Sequence, residues 1–176
     1  MTKYFTADLH LNECRIGTNN LYFRPFQTVE EQNRTIITHL NDMVRPQDEL
    51  YIVGDVAVDA AGVGLLQQVA CRNKILIVGN HDGDKLNLLQ KYFKEIYESL
   101  DLRVGDVDCH LNHYPLNHVP DRFNIVGHIH GLWKVKPNMV NVGVDAWHFR
   151  PVSEAEILFV YDSIKNHYDG HVFVHC

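Results

Sequence analysis

Residues 77–82 read Ile-Val-Gly-Asn-His-Asp (IVGNHD), and the first three letters occur twice more. Ile-Val-Gly also occupies 52–54 before Asp55 and 125–127 before His128. Each copy joins an apolar pair to a glycine and then to a polar side chain. A buried strand ending in glycine can turn or pack closely, which leaves the next residue at the carboxyl edge of the sheet. Open α/β sheets bind their ligands at that edge. The spacings are unequal and the flanks do not match, so this is no solenoid repeat. It is a local device used three times.

The rest of the chain reads outward from these strands. Residues 4–7 form a first apolar run, ending at Asp8. The segment 11–27 looks irregular, with a turn cluster at 16–20 and a rigid Arg24-Pro25-Phe26. Thr28 followed by Glu31 fits a capping box, and Val29, Ile36, Ile37, Leu40 and Val44 share one helical face. Arg45-Pro46 ends that helix. Strands are expected at 49–53, 75–78, 95–99, 102–104, 107–112, 124–126 and 139–142. Gly105-Asp106 forms a hairpin turn. Weaker helices are expected at 59–70 and 84–92. Residues 153–165 fit a capped helix, although Phe159, Val160 and Tyr161 also permit a strand. The tail 171–176 alternates like an edge strand. Early alternation of strands and helices, followed by clustered strands, gives an α/β or α+β class with mixed sheets. No linker interrupts 1–176, so one domain is expected.

Composition narrows the function classes. The 176 residues carry a formal net charge of -6, with no block of like charges. That leaves no bulk electrostatic footprint for long duplex nucleic acid or an anionic membrane. No apolar run approaches the roughly 20 residues of a membrane span. The amino terminus meets an acid at Asp8 and does not read as a signal peptide. Four cysteines without a CxxC spacing suggest free thiols in a reducing, cytoplasmic compartment. The compositional oddity is histidine, with twelve copies.

Polar residues at the expected strand ends form a set: Asp8 and His10, Asp55, Asn80 and His81, His113, then His128 and His130. Carboxylates, imidazoles and an amide oxygen together suit borderline divalent cations such as Mn²⁺, Fe²⁺, Ni²⁺ or Zn²⁺. The set exceeds the needs of one ion and suits two. Two dications roughly 3.5–4 Å apart need a shared anion, for which Asp55 is the natural candidate. Taken singly each motif has a plainer reading: surface chemistry at Asp8 and His10, a turn at Gly54-Asp55, an Asn/Asp/Gly turn at 79–82. Their joint occurrence, each after an apolar strand, favours the metal reading.

In this order, D-x-H, G-D, G-N-H-D, the histidine of NHYPL and G-H-x-H resemble the calcineurin-like metallophosphoesterases. The similarity is greatest to small bacterial and phage members, through Arg24-Pro25-Phe26, GNHD, HYPL, GHIHG and the stretch VNVGVDAW…RPVS. The resemblance implies a four-layer αββα sandwich of two mixed β-sheets flanked by helices. It also implies that Asp8, His10 and His130 hold one metal, that Asn80, His113 and His128 hold a second, and that Asp55 bridges them. His81 would stand near the leaving group. The cofactors implied are two divalent ions, Mn²⁺ first and Fe²⁺, Ni²⁺ or Zn²⁺ otherwise. The implied activity is hydrolysis of a small phosphodiester or phosphomonoester, including a nucleotide or cyclic nucleotide, by attack of a metal-bridging hydroxide. A silent binding scaffold and a nuclease acting on nucleic-acid ends are the alternatives.

Some assignments stay open at this stage. Asp82 either orients the His81 imidazole or caps a helix. Arg24 either binds a substrate phosphate through its fork of donors or is a loop arginine held before Pro25. Arg15, His118 and Arg122 are weaker substrate-binding candidates. The chain departs from its nearest relatives at Asn12, Glu13, Cys14 and Arg15, where they often carry a further histidine and a basic residue. His113 and His128 lie too close in sequence for a large substrate-covering cap. His167, His171 and His175 read as tail.

Overall fold

Strands β1 (Lys3–Thr6), β2 (Glu49–Val53), β3 (Asn73–Ile77) and β4 (Glu95–Tyr97) run parallel, and β10 (Val152–Ser153) pairs antiparallel with β1. The sheet order is β10-β1-β2-β3-β4. A second five-stranded sheet has the order β5-β6-β7-β9-β8. It comprises β5 (Ser99–Val104), β6 (Val107–Asn112), β7 (Phe123–Val126), β8 (Val135–Lys136) and β9 (Met139–Asn141). Here β6, β7 and β9 are parallel, while β5 and β8 are antiparallel edges. The computed structural model describes residues 1–15 and 24–167. The turn cluster at 16–20, His171, His175 and the 171–176 strand lie outside the described residues.

Period-2 patterning builds the layer between the sheets. Phe5, Ala7, Tyr51, Val53, Ile75 and Ile77 face Cys109, Leu111, Phe123, Ile125 and Val140 across it. The alternate residues Leu50, Ile52 and Leu76 point the other way, into a second cluster with Ile36, Ile37, Leu40 and Leu66. Burying each such side chain contributes roughly 1.5–3 kcal/mol. With both faces covered, β2 and β3 read as continuous apolar runs.

Helix α1 (Val29–Met43) begins where its cap requires, with Thr28 accepting the N–H of Glu31. The capping box is displaced, because Glu31 accepts the N–H of Gln27 instead of Thr28. The helix expected at 59–70 breaks into α2 (Ala60–Gly64) and a 3₁₀ turn at 65–68. Its Gly62 passes so near the carbonyl of Leu11 that a Cβ could not fit. The helix expected at 84–92 shrinks to a 3₁₀ turn and α3 (Leu86–Leu89). At 153–165 the cap settles the helix-or-strand question. Ser153 and Glu156 form a complete capping box, and α4 (Glu154–Asn166) follows.

Helix α4 lies at the amino ends of the strands. Its Glu154 approaches Lys3, Leu158 packs over Gly105 in the β5–β6 turn, and Tyr161 meets the Phe123 ring edge-on at 5.3 Å. The carboxyl ends of β1, β2, β3, β6, β7 and β9 therefore share the opposite rim. At that rim the two sheets join through a bridge between Ala7 and Gly143, with the Val144 N–H donating to the Ala7 carbonyl. Among the described residues no helix is long and apolar enough to cross a membrane.

Candidate metal centre

The three Ile-Val-Gly copies end at this rim, and each glycine is required there by a close approach. A Cβ on Gly54 would collide with the His113 ring, and one on Gly79 with the carboxylate of Asp55. One on Gly127 would strike Ala7 and the carbonyl of Val53, which belong to the facing sheet. The glycines thus let ligand-bearing loops from two sheets meet. The residues that follow are bent sharply. Asp8, His10, Asp55, His128 and His130 all have positive φ, between 44° and 75°. Such backbone costs of order 1–3 kcal/mol per residue and concentrates at functional sites.

The bent segments deliver their side chains to one place. Ligand atoms of Asp8, His10 and His130 lie within 4.8 Å of one another, as do those of Asp55, His113 and His128. Asn80 joins the second group, its Oδ1 standing 3.1 Å from His113 Nε2 and 3.0 Å from His128 Nδ1. Asp55 lies between the groups, with Oδ2 at 3.5 Å from His10 Nε2 and 3.4 Å from His113 Nε2. All seven sequence-expected ligands are therefore assembled. His81 belongs to a third group with His10 and Asp55, its ring edge-on to His10 at 5.1 Å.

Hydrogen bonds between the sheets and within the first sheet fix this geometry. The His128 N–H donates to both oxygens of Asp8 at 3.0 Å. The Nδ1 of His113 sits 2.8 Å from the carbonyl of Val53, which turns Nε2 toward Asp55. The His81 N–H donates to Asp55 Oδ1 at 2.9 Å.

Burial and neighbours set the protonation states of the protein alone. Burial drives the His10 ring down to about 3, so it is neutral with a lone pair available. Burial also opposes ionisation of Asp55, but His113 overcomes it and holds the carboxyl down to about 2. Desolvation pushes Asp8 up to about 6 despite His113 and His130 nearby. His128 is lowered by burial and then by His113, so it too favours the neutral form.

The structure gives the contacts of the two residues left open. Asp82 neither orients His81 nor caps a helix through its side chain. It is buried and accepts the N–H groups of Asp55, Val56 and Gly79 at 2.8–2.9 Å. Arg24 turns inward. Its guanidinium is 0% exposed and donates to Asp145 and to the carbonyls of Asp8 and Leu9. Arg24-Pro25-Phe26 is a clasp, since Phe26 also packs on Phe149 at 4.6 Å. Arg15 donates to Glu13, and Arg122 lies 3.5 Å from Asp101.

Residues that pattern reading missed stand just behind the ligands. Asp145, in the 3₁₀ turn after β9, lies 2.8 Å from His130 Nδ1. Asn141 donates to the carbonyls of His130 and Trp133. Gln32 and Asn33 of α1 are buried beside the apolar face, donating to the His10 carbonyl and accepting the Asn12 N–H. The signal for Asp145 was present: it is an acid just beyond an apolar strand and a glycine, like Asp55.

The chain matches the calcineurin-like phosphoesterase family over residues 1–173. It is 28% identical to an uncharacterized protein of Methanocaldococcus jannaschii, covering 85% of each chain. It is also 28% identical to the gene 66 protein of Mycobacterium phage L5, covering 93% of this chain and 94% of the phage protein. Among solved structures, a protein of unknown function from Aquifex aeolicus superposes with a TM-score of 0.71 at 26% identity. That superposition covers 90% of this chain and 98% of the other. With the family match spanning nearly its whole length, this chain belongs to the calcineurin-like phosphoesterases.

Proposed function

We propose that the protein hydrolyses a small phosphodiester or phosphomonoester using two divalent cations, Mn²⁺ foremost. The observation that carries this reading is the position of Asp55, an ionised carboxylate reaching imidazoles of both ligand groups. The donor set fits such ions: neutral rings at His10 and His128, an amide oxygen at Asn80, and carboxylates at Asp8 and Asp55. When bound, the ion pair supplies an activated water near neutral pH and offsets charge on the phosphoryl oxygens.

The chain's own residues do the rest. Asp55 holds the two ligand groups together and contributes the negative charge that lets two cations approach. The His113 ring is held by the carbonyl of Val53, and the His128 backbone by its N–H contacts to Asp8, so both segments are placed before ligand arrives. His81 stands at the edge of the centre, beside His10 and Asp55, and donates a proton or hydrogen bond to the departing ester oxygen. Buried free thiols at Cys71 and Cys109 agree with a reducing, cytoplasmic setting.

The test begins with protein stripped by a chelator, then supplied with Mn²⁺. A panel of phosphomonoesters, phosphodiesters, cyclic nucleotides and labelled oligonucleotides is then assayed. Metal-dependent hydrolysis of a small ester supports the proposal. Cleavage confined to oligonucleotide ends redirects it to a nuclease, and no hydrolysis with metal loaded leaves a binding scaffold.

A further inference from the structure

Two ionic residues lie behind the first ligand group, and the seven ligands leave them unexplained. The Arg24 guanidinium places Nε 2.8 Å from Asp145 Oδ1 and Nη2 3.0 Å from Oδ2, a bidentate fork. The same guanidinium donates to the carbonyl of Asp8 at 2.6 Å and to that of Leu9 at 2.9 Å. Asp145 Oδ2 in turn lies 2.8 Å from His130 Nδ1. One buried pair therefore touches the Asp8–His10 bend on one side and the His130 ring on the other. These segments come from different sheets.

We infer that Arg24 and Asp145 are positioning residues that tune the first metal site, which Asp8, His10 and His130 form, and leave the second largely untouched. The inference rests on the two-metal reading above. Asp145 accepts a hydrogen bond from Nδ1–H of His130, which fixes the tautomer and leaves Nε2 to the first ligand group. Its charge also makes that ring a stronger donor. Arg24 holds that carboxylate in place through the two parallel contacts of its fork. The arginine also satisfies two carbonyls in a segment where Asp8 and His10 both have positive φ, so the bend persists without metal. Lysine offers one point charge in place of a planar fork and cannot make these contacts together.

The contacts of this pair run to the Asp8–His10 bend and to His130, and the prediction is accordingly asymmetric. Mn²⁺ binding is followed by calorimetry and by electron paramagnetic resonance for the wild type, Asp145→Asn and Arg24→Lys. The wild type is expected to bind two ions and show the exchange-coupled spectrum of a bridged pair. Each variant is expected to weaken one binding step roughly 10–100-fold, the usual effect of losing an outer-shell partner. The other step keeps its affinity, and the spectrum at limiting Mn²⁺ becomes that of isolated ions.

Equal weakening of both steps, or no weakening, overturns the inference while leaving the two-metal reading intact. A wild type that binds no ion pair overturns that reading instead. Both variants are unfolded in chelator to check their fold. If neither folds, the pair is a scaffold element and the tuning role is rejected.

Discussion

Asp82 Oδ2 accepts the backbone N–H of Asp55 at 2.9 Å, and the same oxygen accepts that of Gly79 at 2.8 Å. One buried carboxylate therefore spans the two loops that deliver Asp55 and Asn80. Asp82→Ala strands three buried N–H groups, and a stranded group costs about 1–3 kcal/mol. With some relaxation, the variant is expected to lose roughly 2–4 kcal/mol in urea unfolding of the metal-free protein. Unchanged stability would mean that the loops hold their register without it.

The glycines make opposite predictions according to what surrounds them. Gly79→Ala drives a methyl group into the Asp55 carboxylate and should abolish Mn²⁺ loading even where the fold survives. Nothing lies within 4 Å of a Cβ on Gly64, in α2. Gly64→Ala is therefore expected to stabilise by about 0.4–1 kcal/mol and to leave metal binding alone. Metal content and melting temperature, measured together on both variants, check the contrast.

Cysteine reactivity reports on the packing. Cys14 is exposed, whereas Cys71 and Cys109 are buried and free. Burial raises both buried thiols, Cys109 up to about 12. Alkylation at mild alkaline pH, mapped by mass spectrometry, should label Cys14 quickly and the buried pair only after denaturation. Rapid labelling of Cys109 in the folded protein would contradict the inter-sheet core.

His81→Ala separates leaving-group chemistry from metal binding. If His81 donates to the departing oxygen, the loss grows with the basicity of the leaving alcohol. The expectation is about 10²–10⁴-fold for an alkyl ester and much less for a nitrophenyl ester. Metal content should not change. Loss of an ion in this variant would make His81 a ligand, as its place beside His10 and Asp55 allows.

Much of this centre was legible in the sequence because its ligands follow strands. An apolar run fixes the strand, the glycine fixes the approach, and the next residue must project at the rim. That logic found Asp55, Asn80 and His128, and it extended to Asp8, His10, His113 and His130. It left Arg24 and Asp82 open, because an exposed-looking loop residue and a capping-type residue are defined by contacts distant in sequence. Arg24 meets its partner Asp145 121 positions away, and Asp82 reaches Asp55 27 positions back. Local pattern carries no trace of either. The two-residue strands β8 and β10 escaped for a different reason, being too short to show any period. Buried Gln32 and Asn33 broke the apolar stripe of α1 because they satisfy the backbone of the Asp8–Asn12 bend.

In the proposed function, Asp55 couples two metal sites for ester hydrolysis. The most direct test measures Mn²⁺ stoichiometry and phosphoesterase activity on the same samples of wild type and Asp55→Ala. Two ions per chain and metal-dependent turnover are expected in the wild type. In the variant the coupled pair is expected to be lost and turnover to fall to background. Two tightly held ions with retained metal-dependent turnover in Asp55→Ala would rule out the coupling role of Asp55.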